Sequence, residues 1–323
     1  MPSKINNQQE KIRIGISTCL LGEKVRFDGG NKKNDYVVNT LSDFFEWVAV
    51  CPEVDIGLGT PRESLRLVGD AAKPALVTGN TNVDHSEKMY TYADKKVREL
   101  QTLNLNGYIF KKNSPSCGMK RVRIYHDTGK LSRHGVGIFA RTLMQNMPYL
   151  PVEEEDRLND MRLRENFIVR VFCYFRWQKM LEDKYATEKL VQFHNRHTFL
   201  IMARSKIHLR ALTRLVAEAP TYQTKQLKDA YAQFFFDGLQ RKTTPRKHAS
   251  VLQYILSFFK KQMDAKDKRE LLETIKDYRL GLLPLIVPLT LMRHYIHKFD
   301  VPYIQDQVYI NPHPKELMLL NHL

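Results

Sequence analysis

The sequence predicts an α/β N-terminal domain built on a mostly parallel, Rossmann-like sheet, followed by an all-α C-terminal domain. Three observations lead there. From Lys11 to about Tyr149, short β-like runs alternate with helical patterns, the signature of a parallel sheet with helices on its faces. Beyond residue 155 strand-like alternation nearly vanishes and helical periodicity takes over. Finally, 323 residues exceed what one hydrophobic core usually serves, so two domains are expected, 1–155 and 156–323.

Taken in order, strands are expected at Ile12–Ser17, Trp47–Cys51 and Gly107–Lys111, with an edge strand at Val122–Tyr125. Between them, residues 84–101 read as a surface helix. Met89, Ala93, Val97 and Leu100 recur at steps of three and four, while Glu87, Lys88, Asp94, Lys95 and Arg98 cover the opposite face. Glycine and proline gather in the loops (Gly22, Gly29, Gly30, Gly57, Gly59, Pro61, Pro115 and Gly118), beside the cysteines, where function usually sits. The stretch Pro148–Asp156 reads as the linker, its acidic run Glu153-Glu-Glu-Asp156 serving as the first turn of the helix that follows. Farther on, Thr244-Pro245 supplies a cap and an N1 proline for a helix burying Leu252, Ile255, Leu256 and Phe259.

Composition narrows the class. No stretch of about 20 uninterrupted apolar residues occurs, and the richest run, residues 281–292, is twice broken by proline. The first ten residues lack the apolar core of a signal peptide, so a soluble protein of a reducing, cytoplasmic compartment is expected, without a membrane or an obligate protein partner. The formal net charge of +16 points to a polyanion, with nucleic acid the obvious partner. Residues 190–261 hold thirteen Lys and Arg against three acids. Within them Lys206, Arg210 and Arg214 recur every four residues as an exposed ridge beside an apolar stripe of Ile207, Ala211 and Leu215.

Four cysteines are present. Cys173, inside a helical aromatic stretch, reads as inert core. Cys19, Cys51 and Cys117 instead fall beside glycine, proline or serine at the expected C-terminal ends of strands, where ligands sit in open α/β sheets. Three thiolates without a fourth protein ligand describe a reactive rather than a closed metal centre. Their spacing matches no CxxC pattern, so thiol nucleophile, zinc ligand and iron-sulfur ligand all stay open. His194 and His197 lie at helical spacing without a third ligand and read as a polar cluster.

Gly15-Ile-Ser-Thr-Cys19-Leu-Leu-Gly22, Val25-Arg-Phe-Asp-Gly29, Cys51-Pro-Glu-Val54, Gly59-Thr-Pro-Arg62 and Asn113-Ser-Pro-Ser-Cys-Gly118 resemble, in order, the motifs of the thiouracil desulfidase (TudS) family. Phe193-His-Asn-Arg-His197 and residues 306–316 resemble a helical domain found fused to it, a pairing similar to that of the tRNA 4-thiouridine desulfidases (RudS). The resemblance implies that Cys19, Cys51 and Cys117 hold a 4Fe-4S cluster whose fourth iron has no protein ligand. It further implies hydrolysis of 4-thiouridine in tRNA to uridine with release of sulfide and no net electron transfer. For that chemistry Glu53, two residues after a ligand, is the candidate general acid/base. Ser114 is the candidate to position water or base, preferred over Ser116. Arg26, Asp28, Ser116, Lys111 and Lys112 are expected to bind substrate, and Arg204, Lys206, Arg210, Arg214, Arg246 and Lys247 to bind RNA. Two rival readings are a desulfidase of free thiouracil or thionucleotides and a non-catalytic iron-sulfur RNA-binding sensor.

Overall fold

The structure is a computed structural model that describes residues 11–126, 131–182 and 187–322. Contacts divide the chain into two compact units, Met1–Asp160 and Met161–Leu323.

The first unit carries two sheets. In the first, β1 (Ile12–Ser17), β2 (Phe45–Val50), β5 (Gly107–Phe110) and β8 (Val152–Glu154) run all parallel in the order β2-β1-β5-β8. The chain moves from β1 outward to β2 on one side and later to β5 on the other, so a crevice opens at the carboxyl ends of β1 and β5. Tight packing fixes these strands. A side chain at Gly15 in β1 would sit 2.2 Å from the ring of Tyr108 in β5, so only glycine lets the buried tyrosine lie against the strand. At the exit of both strands, the Lys111 amide donates to Ser17 Oγ at 3.0 Å.

The helices of this unit are α1 (Asp35–Asn39), α2 (Pro52–Asp55), α3 (Ser86–Thr102) and α4 (Ile138–Asn146). α3 buries Met89, Ala93, Val97 and Leu100, the stripe its periodicity predicts. The second sheet was not expected. β3 (Leu65–Val68), β4 (Ala75–Thr78), β6 (Val122–Tyr125) and β7 (Leu131–Gly135) lie in the order β4-β3-β6-β7. Val122–Tyr125 is therefore an interior strand of this second sheet, parallel to β3 and antiparallel to β7, and not an edge of the first.

The acidic run also departs from expectation. Val152–Glu154 is an edge strand, and Glu153, Glu154 and Glu155 are buried instead of decorating a helix start. Each carboxylate has work that explains its burial. Glu154 Oε1 accepts from the amides of Met119 (3.0 Å) and Lys120 (3.4 Å), Glu155 pairs with Lys111 and accepts from the Lys112 amide (2.8 Å), and Glu153 pairs with Arg157 (2.6 Å).

The second unit has no strand among its described residues and is built from the helices α5 (Met161–Glu182), α6 (Thr187–Arg204), α7 (Lys206–Ala217), α8 (Thr224–Gln240), α9 (Pro245–Leu256), α10 (Ala265–Leu280), α11 (Ile286–Lys298) and α12 (Pro302–Gln305). Thr244 caps α9 by accepting from the Lys247 amide, and Phe259 is buried three residues beyond the helix end. Trp177, Phe193, Tyr231 and Phe235 form its aromatic core, with Trp177 and Tyr231 stacked at 5.7 Å. Among the described residues no helix is long and apolar enough to cross a membrane.

Candidate active site

Cys19, Cys51 and Cys117 line one cavity of about 330 Å³ at the carboxyl ends of the first sheet. Cys19 lies in the short 3-10 turn that ends β1, and Cys51 directly follows β2. Cys117 is carried farther, in a loop seven residues past β5, instead of standing at a strand end. That loop is held by the start of α4: Ile138 N reaches Pro115 O at 3.1 Å and Ala140 N reaches Ser116 O at 3.2 Å. Gly137 makes the approach possible, since a side chain there would fall 2.5 Å from the Ser116 carbonyl oxygen.

Burial pushes all three thiols up, Cys19 to about 11 with Lys111 opposing the rise; Cys51 and Cys117 also feel neighbouring carboxylates, Glu53 above all. Protonated thiols of this kind are poor nucleophiles, which weighs against thiol catalysis; a bound metal centre reverses the balance by displacing the protons. Among the described residues no three His, Cys, Asp or Glu side chains close on a single point as one ion requires. Three soft donors spread around a cavity suit a multi-metal sulfide cluster, for which thiolates are the usual ligands.

Glu53 sits on α2, where Pro52 at the first helical position starts the turn immediately after Cys51. Arg62 grips Glu53 Oε2 with both Nε (3.2 Å) and Nη2 (2.5 Å), while Nη1 donates to the carbonyls of Val25 (3.0 Å) and Gly59 (2.8 Å). This is a charge-assisted fork with only 6% of the arginine side chain exposed. The other carboxylate oxygen, Oε1, accepts from Ser116 Oγ at 2.7 Å and from Ser114 Oγ at 3.4 Å.

The two serines thus divide their duties differently from the sequence expectation. Ser114 Oγ accepts from the amides of Ser116 (3.3 Å) and Cys117 (3.1 Å), so it caps the ligand loop; Ser116 makes the shorter bond to Glu53. Arg26 lines the cavity, with Phe27 41% exposed beside it. Asp28 does not line it: it pairs with Arg26 at 2.9 Å and accepts from the Gly30 amide. Lys111 and Lys112 line the cavity but are paired, with Glu155 and Asp156 respectively. Arg62 closes the Gly59-Thr-Pro-Arg62 motif, and its role comes from the fold, since nothing local in the sequence shows that an arginine nine residues after Glu53 folds back onto it.

In the second unit, Lys206, Arg210, Arg246 and Lys247 are exposed, and Arg214 is exposed while bridging Glu218 at 2.8 Å. Arg204 is not available to a ligand. It is 3% exposed and donates to the carbonyls of Leu239 (2.9 Å) and Arg241 (3.3 Å) near the end of α8. Of the expected stripe Leu215 is buried, Ala211 is half-buried and Ile207 is exposed, and α7 packs through Leu212 and Leu215. His194 meets Tyr231 and Thr213, and His197 Nδ1 bonds to the Phe193 carbonyl, a polar cluster as expected. Cys173 is fully buried. Ser205, His208 and Asp237 form a chain of 2.7 Å contacts, but Ser205 is the N-cap of α7 and Asp237 is held by Arg241, so the arrangement reads as capping.

Residues 14–155 match the family model of 2-thiouracil desulfurase, and residues 199–314 match DUF1722, a protein family of unknown function. The chain is 26% identical over 165 residues to the uncharacterized protein YbgA of Escherichia coli, covering 50% of this chain and 96% of that one. It is 29% identical over 153 residues to the uncharacterized protein YbbK of Bacillus subtilis, covering 46% and 99%. Among solved structures, the 4Fe-4S-dependent thiouracil desulfidase TudS is 30% identical, covers 47% of this chain with 95% of its own, and superposes with a TM-score of 0.38. Residues 14–155 are thus a 2-thiouracil desulfurase domain, and a DUF1722 region follows it at 199–314.

Proposed function

We propose that this desulfidase acts on 4-thiouridine in tRNA, converting it to uridine with a 4Fe-4S cluster held by Cys19, Cys51 and Cys117. The observation that carries the reading is the convergence of three thiols and the Glu53–Ser116 pair on one cavity. When bound, the cluster would supply an iron without a protein ligand, a Lewis acid for the thiocarbonyl sulfur. The balanced reaction takes one thiocarbonyl and one water to a carbonyl and hydrogen sulfide, with no electrons to supply.

Within it the chain's own residues have separable tasks. Arg62 fixes one oxygen of Glu53, so the carboxylate presents Oε1 toward the cavity. Oε1 takes a proton from the attacking water and returns one to the leaving sulfur, the general acid/base role. Ser116 shares Oε1 and holds its orientation, and Ser114 keeps the loop in shape. Lys111 lies near Cys19 with its charge already answered by Glu155, so it needs no anionic substrate to balance it.

The RNA part rests on the net charge of +16 and on the exposed cations Lys206, Arg210, Arg246 and Lys247, which suit backbone phosphates. A cytoplasmic reaction is in keeping with this substrate and with four free cysteines. The test uses protein with its cluster reconstituted anaerobically, following the near-ultraviolet absorbance of 4-thiouridine in intact tRNA without reductant. Loss of that band with sulfide release is expected. Turnover of free 2-thiouracil alone would reassign the substrate, and RNA binding without turnover would favour a sensor. Glu53→Gln, still holding the cluster, should be slower by about 10²–10⁴-fold; unchanged turnover would remove Glu53 from the mechanism.

A further inference from the structure

The second sheet has two unlike faces. Leu67, Leu76, Val122 and Ile124 point inward and pack with Met89 and Ile138. Because strand residues alternate, the opposite face carries Arg66 from β3, Arg123 and Tyr125 from β6, and Arg133 from β7, joined by Arg121 just before β6. These residues line a cavity of about 490 Å³, and none of the described residues lining it is acidic.

Such a face is costly as it stands. The parallel register sets Leu67 opposite Ile124 and Val68 opposite Tyr125; continued by one residue, it sets Arg66 beside Arg123. Like charges directly across neighbouring strands repel. Arg66 is only partly answered, by Asn82 Oδ1 at 2.6 Å and by the ring of Tyr125 at 5.4 Å, and its Nε is buried without a partner. Arg121, Arg123 and Arg133 make no ion pair with a described residue. The arrangement is complementary to an anion.

This cavity adjoins the thiol cavity. The two share Leu65, Asn113 and Pro115, so the loop that leads to Cys117 forms their common rim. The cations reach across three strands, β3, β6 and β7, a span of about 10 Å at the usual strand spacing. One phosphate cannot bridge that width. Exposed aromatics border both cavities, Tyr125 on the cationic face and Phe27 at the thiol cavity, as in sites where unpaired bases stack.

We propose that the arginine face of the second sheet holds the backbone of an unpaired RNA strand whose thiolated base enters the neighbouring cysteine cavity. The proposal rests on the desulfidase reading and adds that the desulfurase domain itself grips the strand. Arg66 and Arg123 hold phosphates beside the shared rim, Arg133 and Arg121 hold those farther out, and Tyr125 stacks a flanking base.

The test compares wild type with two full-length variants, Arg123→Glu/Arg133→Glu at exposed positions and Arg66→Ala. The probe is a labelled, single-stranded, unthiolated RNA oligonucleotide, titrated at several salt concentrations; turnover of thiolated RNA and of free 2-thiouracil is measured alongside. Binding is expected to weaken at least about tenfold in the double variant, with the salt slope falling by roughly 0.7 for each phosphate that is no longer neutralised. The KM for thiolated RNA should rise in parallel while free 2-thiouracil turnover holds, which also reports intact folding. RNA binding at wild-type affinity and slope in the double variant would overturn the proposal. Displacement of the probe by a nucleoside monophosphate as readily as by unlabelled RNA would also overturn it, leaving a single phosphate site. If wild-type protein releases sulfide from neither substrate, the desulfidase reading fails, and the binding titration still judges the arginine face by itself.

Discussion

Buried polar groups are abundant in both units, but they are disposed in opposite ways. In the first unit Glu53 bonds to Ser114 and Ser116, the serines bond to each other and Ser116 to Cys117, and these groups border an open cavity together with Cys19 and Cys51. In the second, His194, His197, His248 and Arg204 are buried more deeply than Glu53 or Ser114, yet they bond to Tyr231, Phe193, Tyr309 and helix-terminal carbonyls, and the small cavity beside Arg204 and His248 is about 20 Å³. A water needs at least about that much room and a nucleobase far more. Burial and polarity therefore do not identify a site; a polar network that faces space does.

The sharpest way to break this contrast is to alter one cysteine in each unit. Cys117→Ala should lose the cluster absorbance and essentially all turnover, a drop beyond about 10³-fold, or about 4 kcal/mol of barrier. Cys173→Ala, fully buried and not lining that cavity, should retain both. Equal losses would mean that the cavity is not what distinguishes the thiols.

Acid separates the units next. Burial holds His194 down at about 4 and His197 and His248 at about 3, below the ordinary value of 6.5. Each therefore contributes stability that is present above pH 6.5 and is lost as pH falls toward its folded value. At pH 5 the loss is roughly 2 kcal/mol per histidine. Glu165, which burial raises to about 7, runs the other way and offsets part of it, since its penalty disappears as pH falls from 7 toward 4.5. Unfolding followed by the fluorescence of Trp177, which lies in this unit, should show a falling midpoint from pH 7 to pH 5. A flat profile would mean that these rings are already charged in the fold.

The smallest effect tests how finely the cavity is built. Arg62→Lys keeps a positive charge but loses the planar fork that grips Glu53 while reaching Val25 and Gly59. Turnover should fall about tenfold, roughly 1.4 kcal/mol, with the cluster spectrum unchanged. No change in turnover would show that Glu53 needs no second anchor.

What the sequence disclosed follows the range of the forces involved. The stripe of α3 and the run of β1 were legible because their periodicity is local. The second sheet was hidden because its central pairing joins Leu67 to Ile124, far apart in sequence, so Val122–Tyr125 was legible as a strand while its partner was not. Arg204 and Arg210 look alike in sequence, but only the fold brings the ends of α6 and α8 together to bury the first. The acidic run read as a helix start because its partners, Met119 and Lys120, lie about 35 residues earlier.

That run has a practical consequence for anyone shortening the chain. The carboxylates that fasten the segments around Cys117 are the last thing this unit's polypeptide supplies, with Glu154 holding Met119 and Lys120 and Glu155 holding Lys111 and Lys112. A fragment stopped before Val152 would keep every cysteine of the cavity and Glu53 yet release the clasp on both sides of the ligand loop. The smallest competent fragment thus has a lower limit set by a strand that contributes no residue to the cavity wall.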